Sequence, residues 1–171
     1  TAGMAIQSHN HPLLGREGET LAMDTALDGV PDAERLLIVS SACHGVEGFC
    51  SSGVQVFAAH DAEWRAHARV AGVAVLYIHA LNPHGFSHLR RVTHENVDLN
   101  RNFHDFSQPL PLNPAYDELH SALVPVEWPP SADTEARIAH YIGRRGLPRY
   151  QAAVSQGQHR HPDGLIYGGI G

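Results

Sequence analysis

The chain has 171 residues, 43% hydrophobic and 18% charged, a balance that predicts one folded globular domain and excludes a disordered segment. Its formal charge is −6 and its basic residues are all arginine, which argues against nucleic acid as a partner because phosphate neutralisation needs a basic surface. Two cysteines, Cys43 and Cys50, are too few for a disulfide framework, the longest apolar run (Val70 to Leu81) is too short to span a bilayer, and the first residues lack the basic and apolar regions of a signal peptide; reduced, largely buried thiols, no membrane partner and a cytoplasmic location are expected.

The first predicted element is "GETLAMDTAL", which alternates weakly and reads as an edge strand. "ERLLIVSSA" is a continuous apolar run ending in small residues, the pattern of a strand buried on both faces. From Gly48 to about Ala71 the periodicity is helical, with a break near His60 and Asp61, where Asp61 can cap a second helix. "GVAVLYIHAL" predicts a second buried strand, ended by the turn signal Asn82-Pro83. Strand, helix and strand in that order imply a βαβ unit in a largely parallel sheet, hence an α/β fold.

The second half is less regular. "VDLNRNFHDFSQPLPLNP" reads as a loop, Asn113-Pro114 opens a helix to about Val124, and Ser131 caps another that runs to Gly146. A short helix over Pro148 to Val154 and a glycine-rich tail follow. Fourteen histidines are the compositional oddity. His60, His67, His120 and His140 lie in helical stretches and are read as solvated or packed residues.

Ligands of parallel α/β sheets bind at the carboxyl ends of the strands, where this chain places His44-Gly45-Val46-Glu47 and Asn82-Pro83-His84-Gly85. An imidazole and a carboxylate three residues apart on a turn project to one side and can share a metal ion, and neutral nitrogen with carboxylate oxygen suits zinc. The competing reading is a Glu47 that caps the following helix, with His44 hydrogen-bonded. In "RRVTHENVDLNRNF", Arg91 and Arg101 stand among asparagines, an arrangement for holding an anion by bidentate hydrogen bonds. Pairing of these arginines with Glu95, Asp98 and Asp105 is the alternative.

In order, H-x-x-E after one strand, N-P-x-G after the next, and an arginine nine residues before the Asn-Arg pair of "VDLNRNF" resemble the zinc carboxypeptidase family of metallopeptidases. The likeness is closer to an uncharacterised branch, a domain of unknown function (DUF2817), in which "SxxHGVEGFxGSG", "HALNPxGFxxLRR" and "NVDLNRNF" recur, and it covers roughly Arg35 to Gly171. The resemblance implies a three-layer α/β/α fold of the phosphorylase/hydrolase-like kind with a mostly parallel or mixed sheet, present here as an incomplete portion in one domain over residues 1–171. It implies a zinc-dependent hydrolase that cleaves an amide or peptide bond beside a free carboxylate, with a single Zn²⁺ ion. His44 and Glu47 match the first two metal ligands, Arg91 the arginine that polarises the scissile carbonyl, and Asn100 with Arg101 the pair that grips the substrate carboxylate. His84 receives no role. Ser40, Gly45 and Gly48 would let the turn approach the metal.

The family's third ligand, a histidine in a "DLHTG"-like segment, and its glutamate base have no counterpart here. His159 and His161, in "GQHRHPDG", are the late histidines that could close the site, although the segment resembles a loop that precedes the third-ligand strand. The simpler expectation is a partial chain, inactive alone, with later strands missing from its sheet. The substrate would be a peptide or a small acylated amino acid. A deacylase of N-acyl amino acids, like desuccinylase and aspartoacylase relatives, and a non-catalytic carboxylate-binding module are the alternatives.

Overall fold

A computed structural model of the chain describes residues 3–30 and 32–171. Among the described residues it is a mixed α/β structure with a four-stranded open sheet and six α-helices, and it divides into two compact units, residues 1–94 and 95–171.

The first unit carries the sheet. Its strands β1 (Ala5–Leu14), β2 (Thr20–Asp28), β3 (Arg35–Ser40) and β4 (Val73–His79) lie in the order β1-β2-β4-β3. β3 and β4 are parallel, in register from Arg35 opposite Val73 to Ser40 opposite Ile78. Between them run α1 (Gly48–His60) and α2 (Ala62–Val70), which completes the expected βαβ unit. The sheet as a whole is mixed rather than largely parallel, because β1 pairs β2 and β2 pairs β4 antiparallel. A tight turn explains the first of these: Gly15 N–H donates to Glu19 O at 2.8 Å, and strands joined by so short a connection can pair only antiparallel.

Two expectations about strand position fail. β2 is interior, since β1 covers its outer side; the "SHNHP" stretch within β1 has little strand propensity and a register shift between Asn10 and Leu14 around its proline. β3 is the edge strand and is not buried on both faces: Leu36, Leu37 and Ile38 are exposed. A hydrogen-bonded neighbour covers an edge and not a face, and no packed layer hides these side chains among the described residues. The buried strand is β4, where Ala74, Val75 and Tyr77 enter the core.

The helices follow local chemistry. Asp61 ends α1 and caps α2, its side chain accepting from the N–H groups of Glu63 and Trp64 at 2.9 and 3.0 Å. α2 is pinned to the sheet by Trp64 Nε1, which donates to Tyr77 Oη at 2.9 Å, and by an ion-pair cluster at the end of β2. There the buried Asp28 accepts from Arg65 Nε at 2.6 Å and Arg69 Nη2 at 3.0 Å. The Arg65 hydrogen bond above all holds the Asp28 carboxyl below the usual carboxylate range. Where a turn was expected after Asn82, the chain forms the short helix α3 (Pro83–His88), with the Asn82 side chain accepting from Gly85 N–H at 2.8 Å.

The second unit is helical, with α4 (Pro114–Leu123), α5 (Ala132–Arg145) and α6 (Leu147–Ser155) matching the expected helices within a residue or two. Leu119, Tyr141 and Ala153 form its core, flanked by Ala115, Leu123 and Tyr150. The loop before α4 is irregular apart from one 3₁₀ turn, Leu99–Arg101.

Candidate functional site

The chain leaves β3 and β4 on the same side of the sheet, and the two exits remain hydrogen-bonded. Leu81 N–H donates to Ser41 O and Asn82 N–H to Ala42 O, both at 3.0 Å. Beneath them lies a buried polar bridge. Gln55 on α1 donates from Nε2 to Val39 O at 2.6 Å and to Ile78 O at 3.0 Å, while Ser41 Oγ contacts Gln55 Oε1 and His79 Nδ1, each at 2.8 Å. Satisfied buried networks of this kind fix one geometry for the segments they join, and here those segments carry His44.

The His44 to Glu47 turn then folds back against the segment after α3. Gly45 N–H donates to Arg90 O at 2.9 Å, and a Cβ on Gly45 would collide with the carbonyl oxygens of Gly85 and Arg90. Glycine is therefore required by a neighbouring backbone, a reason different from the approach to a metal that was expected. The contact also delivers Arg91. Arg91 Nη1 lies 3.1 Å from Glu47 Oε1, and His44 Nδ1 lies 3.4 Å from Glu47 Oε2. Glu47 occupies the N-cap position of α1 without a side-chain capping bond, so its carboxylate is turned to His44 and Arg91 rather than to the helix. His44 is nearly buried and Glu47 is 63% exposed, on a shallow concavity of about 230 Å³ that Ser41, Cys43 and Ser51 also line. A larger cleft of about 700 Å³, around Asp28, Arg35 and Val73, lies at the opposite ends of the parallel strands and holds none of the chemical motifs. Cys43 and Cys50 form no disulfide, but Cys50 is exposed, contrary to expectation, because α1 turns that face to solvent.

Asn100 and Arg101 belong to the second unit. Asn100 N–H donates to Asp98 Oδ1 at 3.0 Å; Arg101 donates from Nε and Nη2 to Ser155 O at 3.0 and 2.7 Å and from Nη1 to Asn100 O at 3.0 Å. Arg101 thereby caps the carboxyl end of α6, where a cation is favoured by the helix dipole. The late histidines are also engaged within this unit. His159 Nδ1 contacts Gly169 O at 2.6 Å and its Nε2 lies 3.1 Å from His104 Nε2, while His161 Nε2 lies 2.9 Å from Asp117 Oδ1. His120, read from the sequence as an ordinary helix residue, stacks on His161 with ring centroids 3.9 Å apart. In the first unit His84 stacks on His88 at 4.2 Å, and burial, helped by the charges of His88, His94, His11 and Arg90, pushes its imidazole below the ordinary value.

Fold and site together define a mixed α/β protein with an imidazole, a carboxylate and a guanidinium gathered where a parallel strand ends. The chain belongs to the family described as "Protein of unknown function (DUF2817)", whose model matches residues 1–171. No curated protein and no solved structure matches the chain.

Proposed function

We propose that this chain is part of a zinc-dependent hydrolase of the carboxypeptidase type, on a three-layer α/β/α fold, that cleaves an amide bond beside a free carboxylate. The observation that carries this reading is the meeting of His44, Glu47 and Arg91 at the exit of β3. A nitrogen and an oxygen 3.4 Å apart fit two corners of a zinc shell, whose bonds of about 2.0–2.2 Å bring neighbouring donors to a similar separation. Among the described residues these two do not join a third such donor within 4.8 Å, so His44 and Glu47 would hold the ion as a pair that another ligand completes. When bound, the ion supplies Lewis acidity for amide hydrolysis.

The chain's own groups have defined tasks. Glu47 anchors one end of the Arg91 guanidinium, which is half-exposed and lends positive charge where an oxyanion develops; a donor so placed contributes about 3 kcal/mol to the transition state. Asn100 and Arg101 are assigned the substrate carboxylate. Each of the three Arg101 nitrogens spends one N–H on a backbone carbonyl, and the second hydrogens of Nη1 and Nη2 can meet an anion. The two-donor count favours one second reading, a carboxylate-binding module without catalysis.

Zinc binding and hydrolysis of N-blocked dipeptides and N-acyl amino acids separate the two. His44→Ala is expected to weaken zinc at this site at least about tenfold. Arg91→Ala should leave zinc in place and lower kcat/KM by roughly 10²–10³. Zinc binding indifferent to both His44→Ala and Glu47→Gln would overturn the hydrolase, and carboxylate binding without turnover would establish the module.

A further inference from the structure

The second unit gathers metal-ligating side chains that the proposed hydrolase site does not use. His120 lies on α4, one turn beyond Asp117, and His161 and Asp163 lie on the loop after α6. One ligand atom from each of His120, His161 and Asp163 falls within 4.8 Å of the other two. His120 Nε2 and Asp163 Oδ1 are 3.6 Å apart, close to the separation of two donors that share an ion through bonds of about 2.0–2.2 Å.

We propose that His120, His161 and Asp163 form a binding site for a divalent first-row transition-metal ion, held by two imidazoles and one carboxylate. The donor set suits zinc and its spectroscopic substitute cobalt.

Three observations carry the proposal beyond proximity. His161 is backed by a carboxylate: its Nε2 lies 2.9 Å from Asp117 Oδ1, and Arg160 Nη1 holds Asp117 Oδ2 at 2.9 Å. A neutral imidazole that donates from Nε2 keeps its lone pair on Nδ1, the arrangement by which outer carboxylates orient histidine ligands.

The second observation is the orientation of His120, whose Nε2 faces Asp163 Oδ1 at 3.6 Å while its Nδ1 is buried and meets no hydrogen-bond partner among the described residues. With a lone pair on Nε2, that nitrogen and the Asp163 carboxylate are two acceptors that a cation between them reconciles, a metal ion or the second proton of an imidazolium.

Third, the loop is held before any ion arrives. Gln158, 1% exposed, accepts from the N–H groups of Arg160 and His161 at 2.9 and 2.7 Å and donates to His161 O at 2.7 Å. Asn96 Nδ2 donates to Pro162 O at 2.9 Å and to Gly164 O at 2.8 Å. The backbone that carries these donors is therefore ordered in advance, and the two stacked rings need only turn for their in-plane lone pairs to converge on the ion. Asp163 is 72% exposed, so an ion reaches the site from solvent and this side chain can turn to close on it.

The test uses the full chain carrying His44→Ala and Glu47→Ala, which isolates this site from the first pair. Cobalt is titrated by visible absorption and zinc by equilibrium dialysis. A single ion should bind, and Asp163→Asn or His161→Gln should weaken it at least tenfold. Asp117→Asn should weaken it by roughly 10–100-fold, as loss of an outer carboxylate does. Asp163→Asn alters an exposed side chain, and an unchanged far-UV circular dichroism spectrum keeps its result interpretable. No ion in the parent variant, or binding that neither Asp163→Asn nor His161→Gln alters, would overturn the proposal and leave the histidines as a stacked pair with carboxylate partners.

Discussion

Asp28 ends β2 with its carboxylate 5% exposed and three nitrogens of Arg65 and Arg69 around it, which makes it the residue on which the docking of α2 depends. Removing one partner of a buried pair leaves the others uncompensated, at about 3–5 kcal/mol when all are buried. Arg69 reaches water, so the loss for Asp28→Asn is set lower, at about 2 kcal/mol. The pH dependence has a definite sign. Because the folded carboxyl sits below its ordinary value of about 3.9, the unfolded chain takes up the proton first. The stabilisation is complete above that value and is lost as pH falls through the folded one. Urea unfolding of wild type and Asp28→Asn from pH 7 to pH 3 should therefore show a gap that narrows at the acid end. A gap that stays constant would show that charge is not its cause.

Among the elements, the turn between β3 and α1 is constrained most tightly, because Gly45 lies against the backbone of Gly85 and Arg90. Gly45→Ala must push those segments of chain apart, at a cost of about 1–3 kcal/mol. Its amide, bonded to Arg90 O, should exchange faster, and the variant should unfold at lower urea; wild-type stability with unchanged exchange would refute the close approach. What the sequence made legible at this scale was local. The break at Asp61 and the cap at Ser131 rest on side chains bonding backbone two or three residues away, and the His44 to Glu47 spacing is equally short. The meeting of Arg91 with Glu47 was not readable from spacing, nor was the Gln55 bridge, because both join distant segments. β1 and the exposure of β3 were missed for the same reason: a strand's burial is decided by its neighbours, and an apolar run looks alike at the centre and at the edge of a sheet. His120 was set aside because nothing in its own helix points to the loop at His161.

For the molecule as a whole, the consequence of a sheet that does not close is an exposed edge. Among the described residues β3 offers an unpaired backbone side together with exposed Leu36, Leu37 and Ile38, and α1 adds exposed Val54 and Phe57. Edge strands that natural proteins leave open are protected by charge, proline or a bulge, and between Arg35 and Ser40 the strand has only its first residue charged. Apolar side chains there should drive association as concentration rises, since each buries apolar area at roughly 25 cal/mol per Å². Sedimentation of the 171-residue chain should show concentration-dependent association, and Ile38→Lys should shift it toward monomer. The substitution places a charge on an exposed side chain and spares Val39 O and Ser41, which anchor the Gln55 bridge, so the β3 exit that carries His44 should keep its geometry. A chain that stays monomeric at high concentration, or association that Ile38→Lys does not reduce, would mean that the β3 edge is not the adhesive surface.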